Sequence, residues 1–137
     1  MSNLPQFASA LNTGAAKFEN GDGTTKATLI TPGSSGTRVM QIVAATDDTS
    51  DVTLDVFLTI SAVDYQIGSV TIPTGTGTSG DSGVSILDNL SAAKNILGTG
   101  APVNVLDLAS GDVLKVAPNS AVTAAKTLWI YATGKDF

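Results

Sequence analysis

The strongest constraint in this sequence lies between Asp51 and Ile60, where Val52, Leu54, Val56, Leu58 and Ile60 alternate with Thr53, Asp55, Phe57 and Thr59. Side chains of an extended strand point to opposite faces with a period of two, so this run makes one apolar face and one mostly hydrated face, with Phe57 the exception. A helix would spread the same residues around its circumference. A chain that contains such a strand must cover its apolar side with a second layer.

The rest of the chain carries the same kind of signal. Thr24 to Thr31 alternates weakly and ends at Pro32-Gly33-Ser34-Ser35-Gly36, a strand followed by a turn. In Arg38 to Thr46, Val39, Val43 and Ala45 fall on one side and Met40, Ile42 and Ala44 on the other, which places this strand centrally or between two layers. Asp47 to Ser50 reads as a polar hairpin loop into the next strand. In Val63 to Ile72 the apolar phase slips at Gly68, which predicts a bulge or a bend into another sheet. Thr74 to Gly83 contains only Thr, Gly, Ser and Asp and reads as a mobile loop. Leu87, Leu90, Ala93 and Leu97 stand at helical spacing, with Asp81 or Ser82 as N-cap and Gly98 as terminator. Strands return at Val103 to Leu108, Val113 to Ala117 and Val122 to Thr133, the last with Trp129 and Tyr131 on one face.

These segments predict an all-β chain, a single β-sandwich or jelly-roll-like domain of about seven to eight antiparallel strands with one short helical insertion. Residues 1–17 hold Leu4, Phe7 and Leu11 without a clear period and read as an N-terminal arm that contacts a partner, leaving 18–137 as the sandwich. A chain of 137 residues is long enough for one core.

Composition narrows the function. Charged residues make up 14% of the chain, below the ~25% of ordinary soluble domains, so 18 Thr and 13 Ser must supply much of the hydrated surface. Eleven Asp against one Glu favour turns over helix interiors. A net charge of −5 with seven Lys and Arg argues against nucleic acid as a partner. With no His and no Cys, the chain can build neither a Ser-His-Asp or Cys-His nucleophile system nor a thiolate or imidazole metal site, and no disulfide. No enzyme activity and no cofactor are expected. The first ten residues lack the basic start and apolar run of a signal peptide, and no stretch approaches the ~20 apolar residues of a membrane span, so synthesis in a reducing cytoplasm is expected.

Four local patterns invite chemistry. Gly75-Thr76-Gly77-Thr78-Ser79-Gly80 spells a dinucleotide fingerprint, but that motif needs a parallel β-α-β unit, and loop chemistry explains the glycines here. Gly80-Asp81-Ser82 and Ser91-Ala92-Ala93-Lys94 resemble nucleophile blocks without a supporting base. Asp47, Asp48 and Asp51 offer oxygens to a calcium ion, yet their spacing is not that of an EF-hand, and Asp-rich turns arise from local hydrogen bonding. Trp129 and Tyr131 offer either a sugar-stacking platform or packing in a core or subunit interface, and the 5% aromatic content favours packing.

Beyond these readings the chain carries a resemblance. Thr24-Thr25, Leu29 through Val39, Val52-Thr53-Leu54, Asp64 through Pro73, Gly111 through Ala117 and Ala121 through Lys126 resemble a family of small virion proteins of tailed bacteriophages, the capsid decoration or cement proteins. The match spans roughly residues 24–90 and 111–137 and rests on turns and strand patterns rather than on catalytic motifs. The resemblance implies a sandwich, often trimeric, that sits on the capsid surface of a virion, touches the major capsid protein and bridges neighbouring capsomers. A tail, fibre or head-tail adaptor protein and a carbohydrate-binding sandwich are the alternatives.

Overall fold

A computed structural model of the protein describes residues 10–78, 82–90, 94–95 and 104–137. Among these residues ten strands form two antiparallel sheets: β1 (Ala10–Glu19), β2 (Ala27–Ile30), β3 (Thr37–Thr46), β4 (Val52–Ile60), β5 (Val63–Ile72), β6 (Val84–Ser85), β7 (Lys94–Asn95), β8 (Asn104–Leu108), β9 (Val113–Pro118) and β10 (Thr127–Asp136). Sheet A runs β1-β10-β3-β8-β7, with β6 also paired to β3, and sheet B runs β2-β9-β4-β5. The fold is the β-sandwich that the period-two patterns require.

The core lies between the sheets. Phe18, Ile42, Ala44, Leu128 and Ile130 come from sheet A, and Ile30, Leu54, Val56, Ile72, Leu114 and Val116 from sheet B, all buried. Burying a side chain such as Leu54 or Phe18 contributes roughly 1.5–3 kcal/mol each, which makes the alternation in β4 a folding instruction rather than a pattern.

Several local expectations change on folding. Asp47 to Ser50 is an arch rather than a hairpin loop, because β3 belongs to sheet A and β4 to sheet B. In β3 the side assignment of Val39 shifts. Residue 40 is passed over where Gln41 pairs with Thr133 and Val39 with Gly134, so Val39 joins Ile42 and Ala44 in the core. Gly134 makes this irregularity possible, since a Cβ there would run into the Arg38 carbonyl oxygen. The slip at Gly68 is a bulge opposite Val56 and Phe57, and β5 stays in sheet B. The expected helix is reduced to a 3-10 turn, Leu87–Asn89, because Leu87 and Leu90 are buried at the margin of the core and the chain then leaves in extended form. Ala93 and Leu97 lie outside the described residues.

The segment expected as an arm divides. Residues 1–9, with Leu4 and Phe7, lie outside the described residues, whereas 10–17 belong to β1, paired with β10 from Ala10–Asp136 to Glu19–Thr127. Phe18 at the end of β1 is 2% exposed and anchors it. Gly14 lets β1 close onto β2, because any Cβ would land on the Leu29 carbonyl oxygen.

Two hydrogen-bonded carboxylates fasten the ends of the sandwich. At one end the buried Asp48 accepts from the Thr123 amide and hydroxyl at 2.9 and 2.7 Å and from the Ser50 amide at 2.9 Å, tying the β3–β4 arch to the segment before β10. At the other end Asp136 accepts from Thr37 and, at 2.9 Å, from Asn12, tying β10 to β3 and β1.

Candidate functional site

The two outer faces of the sandwich differ in chemistry. On sheet A the cross-strand register places Lys17, Trp129 and Ala45 in one row and Ala15, Tyr131 and Val43 in the next. Side chains of paired residues share a face, so these six converge. Trp129 is 41% and Tyr131 50% exposed; both stand on β10, with small aliphatic residues of β1 and β3 beside them, in a depression of about 420 Å³. Lys17 is the charged member of that set, and its ammonium lies 3.2 Å from Glu19. Leu11 stands on the same outer face farther along β1, opposite Lys135, and is 68% exposed.

A second apolar surface belongs to sheet B. At the tip of the β4–β5 hairpin Ile60, Val63 and Tyr65 are exposed although their register continues the core-facing phase of the two strands. The tip closes in two residues, Ser61 and Ala62, both at positive φ (52° and 65°), the geometry of a tight hairpin turn that Asn and Gly adopt more easily.

The outer face of sheet B is polar and already paired. Asp64 takes a hydrogen bond from Thr59, a 2.9 Å contact from Lys26 and a longer one, 3.6 Å, from Lys115. The Thr59 hydroxyl first, then Lys26 and Lys115, hold the Asp64 carboxyl down at about 2, against an ordinary value of 3.8. Lys26 also lies 4.3 Å above the Phe57 ring, which explains how that aromatic is accommodated on a hydrated face. Asp55 accepts from Ser69 at 2.6 Å.

The remaining sequence candidates serve structure. Asp47 accepts from the Thr127 amide at 2.8 Å and Asp51 from the Thr74 amide at 3.0 Å, while Asp48 is enclosed by Thr123 and Ser50. Burial alone would raise the Asp48 carboxyl, but the Thr123 hydroxyl and amide and the Ser50 and Thr49 amides outweigh it and hold it low. Three carboxylates spent on four different backbone segments do not converge on an ion, and among the described residues no group of three or more metal-ligating side chains forms. The first half of the Gly-rich stretch is not a free loop. The Gly75 amide donates to the Asp48 backbone carbonyl at 3.2 Å, and the Thr76 carbonyl accepts from the Thr46 amide at 2.8 Å, so the turn at residues 74–78 is tied to the end of β3. The next element along the chain is the two-residue β6, not a helix, so the phosphate-cradling geometry is missing there. Gly80, Asp81 and Ser91 to Ala93 lie outside the described residues.

Sequence reasoning identified Trp129 and Tyr131 but not the small residues beside them. The signal was available: Val43 and Ala45 lie on the hydrated phase of a strand whose other side is core, and Ala15 is offset by two from Lys17.

Residues 55–121, just under half of the chain, match the Peptidase S3 family, described as alphavirus core protein. No curated protein sequence matches the chain. Among solved structures, a chain of the cyanophage Pam1 capsid asymmetric unit is similar at 17% identity and a TM-score of 0.48, over 100% of this chain and 92% of that one. A likeness of that degree assigns no role to this protein, and its fold rests on its own strand pairing. The sequence holds no His and no Cys, so its own residues cannot supply the imidazole or thiol of a Ser-His-Asp or Cys-His nucleophile system. Among the described residues no helix is long and apolar enough to cross a membrane.

Proposed function

We propose that this protein is a structural, non-catalytic component of a bacteriophage virion that decorates the capsid surface, contacting the major capsid protein and bridging neighbouring capsomers. The observation that carries this reading is the presence of two separate apolar surfaces on one rigid sandwich, the Trp129–Tyr131 face of sheet A and the Ile60–Val63–Tyr65 tip of sheet B. A bridge needs two adhesive surfaces held at a fixed spacing, and a sandwich fastened at both ends by Asp48 and Asp136 holds them so. The turn and strand motifs shared with phage decoration proteins support the same reading. Leu4, Phe7 and Leu11 act as partner contacts, and a trimer is the favoured assembly.

Sugar binding fits the Trp129 face less well. Sugar recognition needs polar groups to meet hydroxyls, and Lys17, the charged member of the lining set, is paired with Glu19. A tail or adaptor role uses the same surfaces in fewer copies. The deciding measurement is the number of copies per particle relative to the major capsid protein, by quantitative mass spectrometry of purified virions. Copies comparable to the capsomer number, in a ratio compatible with threefold positions, support decoration; a handful per particle moves the protein to the tail, and none ends the virion reading. Deleting residues 1–9, which leaves β1 whole, should abolish particle binding without lowering the thermal midpoint of the domain.

A further inference from the structure

We propose that the N-terminal segment, residues 1–9, docks through Phe7 and Leu4 into the Trp129–Tyr131 groove of a second copy of this chain. The proposal rests on the decoration reading and deepens it by giving the two adhesive surfaces different partners: the sheet A face joins neighbouring copies, and the sheet B tip is left to meet the capsid.

Chemistry selects the occupant. The groove presents Ala15, Val43, Ala45, Trp129 and Tyr131, with Lys17 at its margin beside Glu19, so most of its surface suits apolar side chains. Residues 1–9 contain no Asp, Glu, Lys or Arg and carry the large apolar side chains Met1, Leu4 and Phe7. Aromatic side chains meeting Trp129 and Tyr131 would exclude water from both partners.

Geometry selects the second copy. β1 begins at Ala10, at the end of the strand away from the groove. Ala10 stands opposite Asp136, at the far end of the strand from Lys17 and Trp129. From Ala10 to Ala15, the near edge of the groove, is five strand residues, ~17 Å at the usual rise. Phe7 is three residues from Ala10 and reaches at most ~10 Å, so it cannot touch its own groove. Leu4 reaches at most ~21 Å, which leaves almost nothing for the reversal of direction that docking in the same chain demands. A neighbouring groove imposes no such reversal. Each copy offers one arm and one groove, so the exchange is reciprocal in a twofold pair or, run head-to-tail, closes into a ring when the rotation allows.

The sequence supplies its own reporters. Trp129 is the sole tryptophan and the chain has no cysteine. In the full chain, dilution should shift Trp129 emission to the red as arms leave their grooves, and Phe7→Ser should show the diluted spectrum at every concentration. A Phe7→Cys, Tyr131→Cys double variant, whose new residues replace a side chain outside the described fold and an exposed one, should oxidise to covalent multimers under conditions where either single variant gives at most a symmetric dimer. Covalent monomers overturn docking in a second copy. An emission spectrum independent of concentration in both the full chain and Phe7→Ser, with no cross-link, overturns the proposal altogether. If that spectrum changes only when capsid shells are added, the receptor is the capsid and the exchange is wrong while the decoration reading stands. If exchange occurs but virions carry no copies, decoration fails and the exchange stands.

Discussion

The outer faces of the two sheets, one of six strands and one of four, differ in where they carry paired charge and where they carry bare apolar side chains. On sheet B the outward-facing carboxylates Asp64 and Asp55 have partners in the same chain: Asp64 with Thr59, Lys26 and Lys115, and Asp55 with Ser69. On sheet A the charge lies at the two ends of the face, Lys17 with Glu19 and Arg38 with Asp107 in the row of Leu11 and Lys135, while Ala15, Val43, Ala45, Trp129 and Tyr131 form an apolar patch between them. The first face is finished by intramolecular pairing and is suited to water. The second leaves aromatic surface uncovered among the described residues, with Trp129 and Tyr131 both exposed. The contrast teaches that the low charge content of the chain is not spread evenly; an uncharged stretch falls at the Trp129–Tyr131 patch, which the proposed function gives to a partner.

The contrast is broken most severely at Gly14. Gly14→Val would drive a side chain into the Leu29 carbonyl, push β1 from the edge of sheet A and dismantle the Ala15–Lys17 wall of the groove. A loss of about 3 kcal/mol or more is expected in urea unfolding, together with red-shifted Trp129 emission in the folded state. Asp48→Ala comes next. It leaves the Thr123 and Ser50 amides without their acceptor in a buried site and should cost about 2–4 kcal/mol, affecting both faces equally because the arch joins the two sheets. Asp48→Asn, which keeps one acceptor oxygen, should lose less.

Acid sharpens the comparison. Asp64 is held down at about 2 when folded and returns toward 3.8 when unfolded, so its stabilisation is present above about 3.8 and is lost as pH falls from there toward 2. The same sign holds for Asp48 and for Asp136, which is held low by Thr37 first, then by Asn12 and the Gly33 amide. Asp64→Asn should therefore flatten part of the acid limb of a stability-against-pH curve and leave Trp129 emission untouched. An unchanged acid limb would mean that the sheet B network is not formed in solution.

The smallest effects separate stability from binding. Trp129→Ala should change the urea midpoint by about 1 kcal/mol or less, since the side chain is well exposed, yet abolish partner binding measured by co-sedimentation with virions. Ser61→Asn with Ala62→Gly should stabilise the hairpin tip by about 1 kcal/mol by relieving two left-handed residues, without altering either outer face.

How much of this was legible beforehand differs by element. β4 was readable because each of its core side chains, Val52, Leu54 and Val56, obeys one unbroken period. β3 was readable as a strand but not in its sidedness, because a single irregularity opposite Gly134 moves Val39 across the sheet, and local sequence does not contain the partner's register. The helical spacing at Leu87 and Leu90 misled, since two buried leucines in a 3-10 turn at the edge of the core satisfy the same intervals as a longer helix. Asp47, Asp48 and Asp51 looked like a set because they are adjacent in sequence; in space each turns to a different backbone segment.

By itself the sequence determined the class of fold, the absence of imidazole and thiol chemistry, and the pairing of Trp129 and Tyr131 on one face. Alternation, composition and the two-residue repeat of a strand are local, and they survive without knowledge of neighbours. Only the tertiary structure decided that β1 closes the edge of sheet A, that the β3–β4 connection crosses between sheets, and that among the described residues the aromatic patch is uncovered while Asp64 is paired. Those outcomes depend on register between residues as far apart as Lys17 and Trp129 or Lys26 and Asp64, and such pairings are set by which arrangement buries the whole core at once.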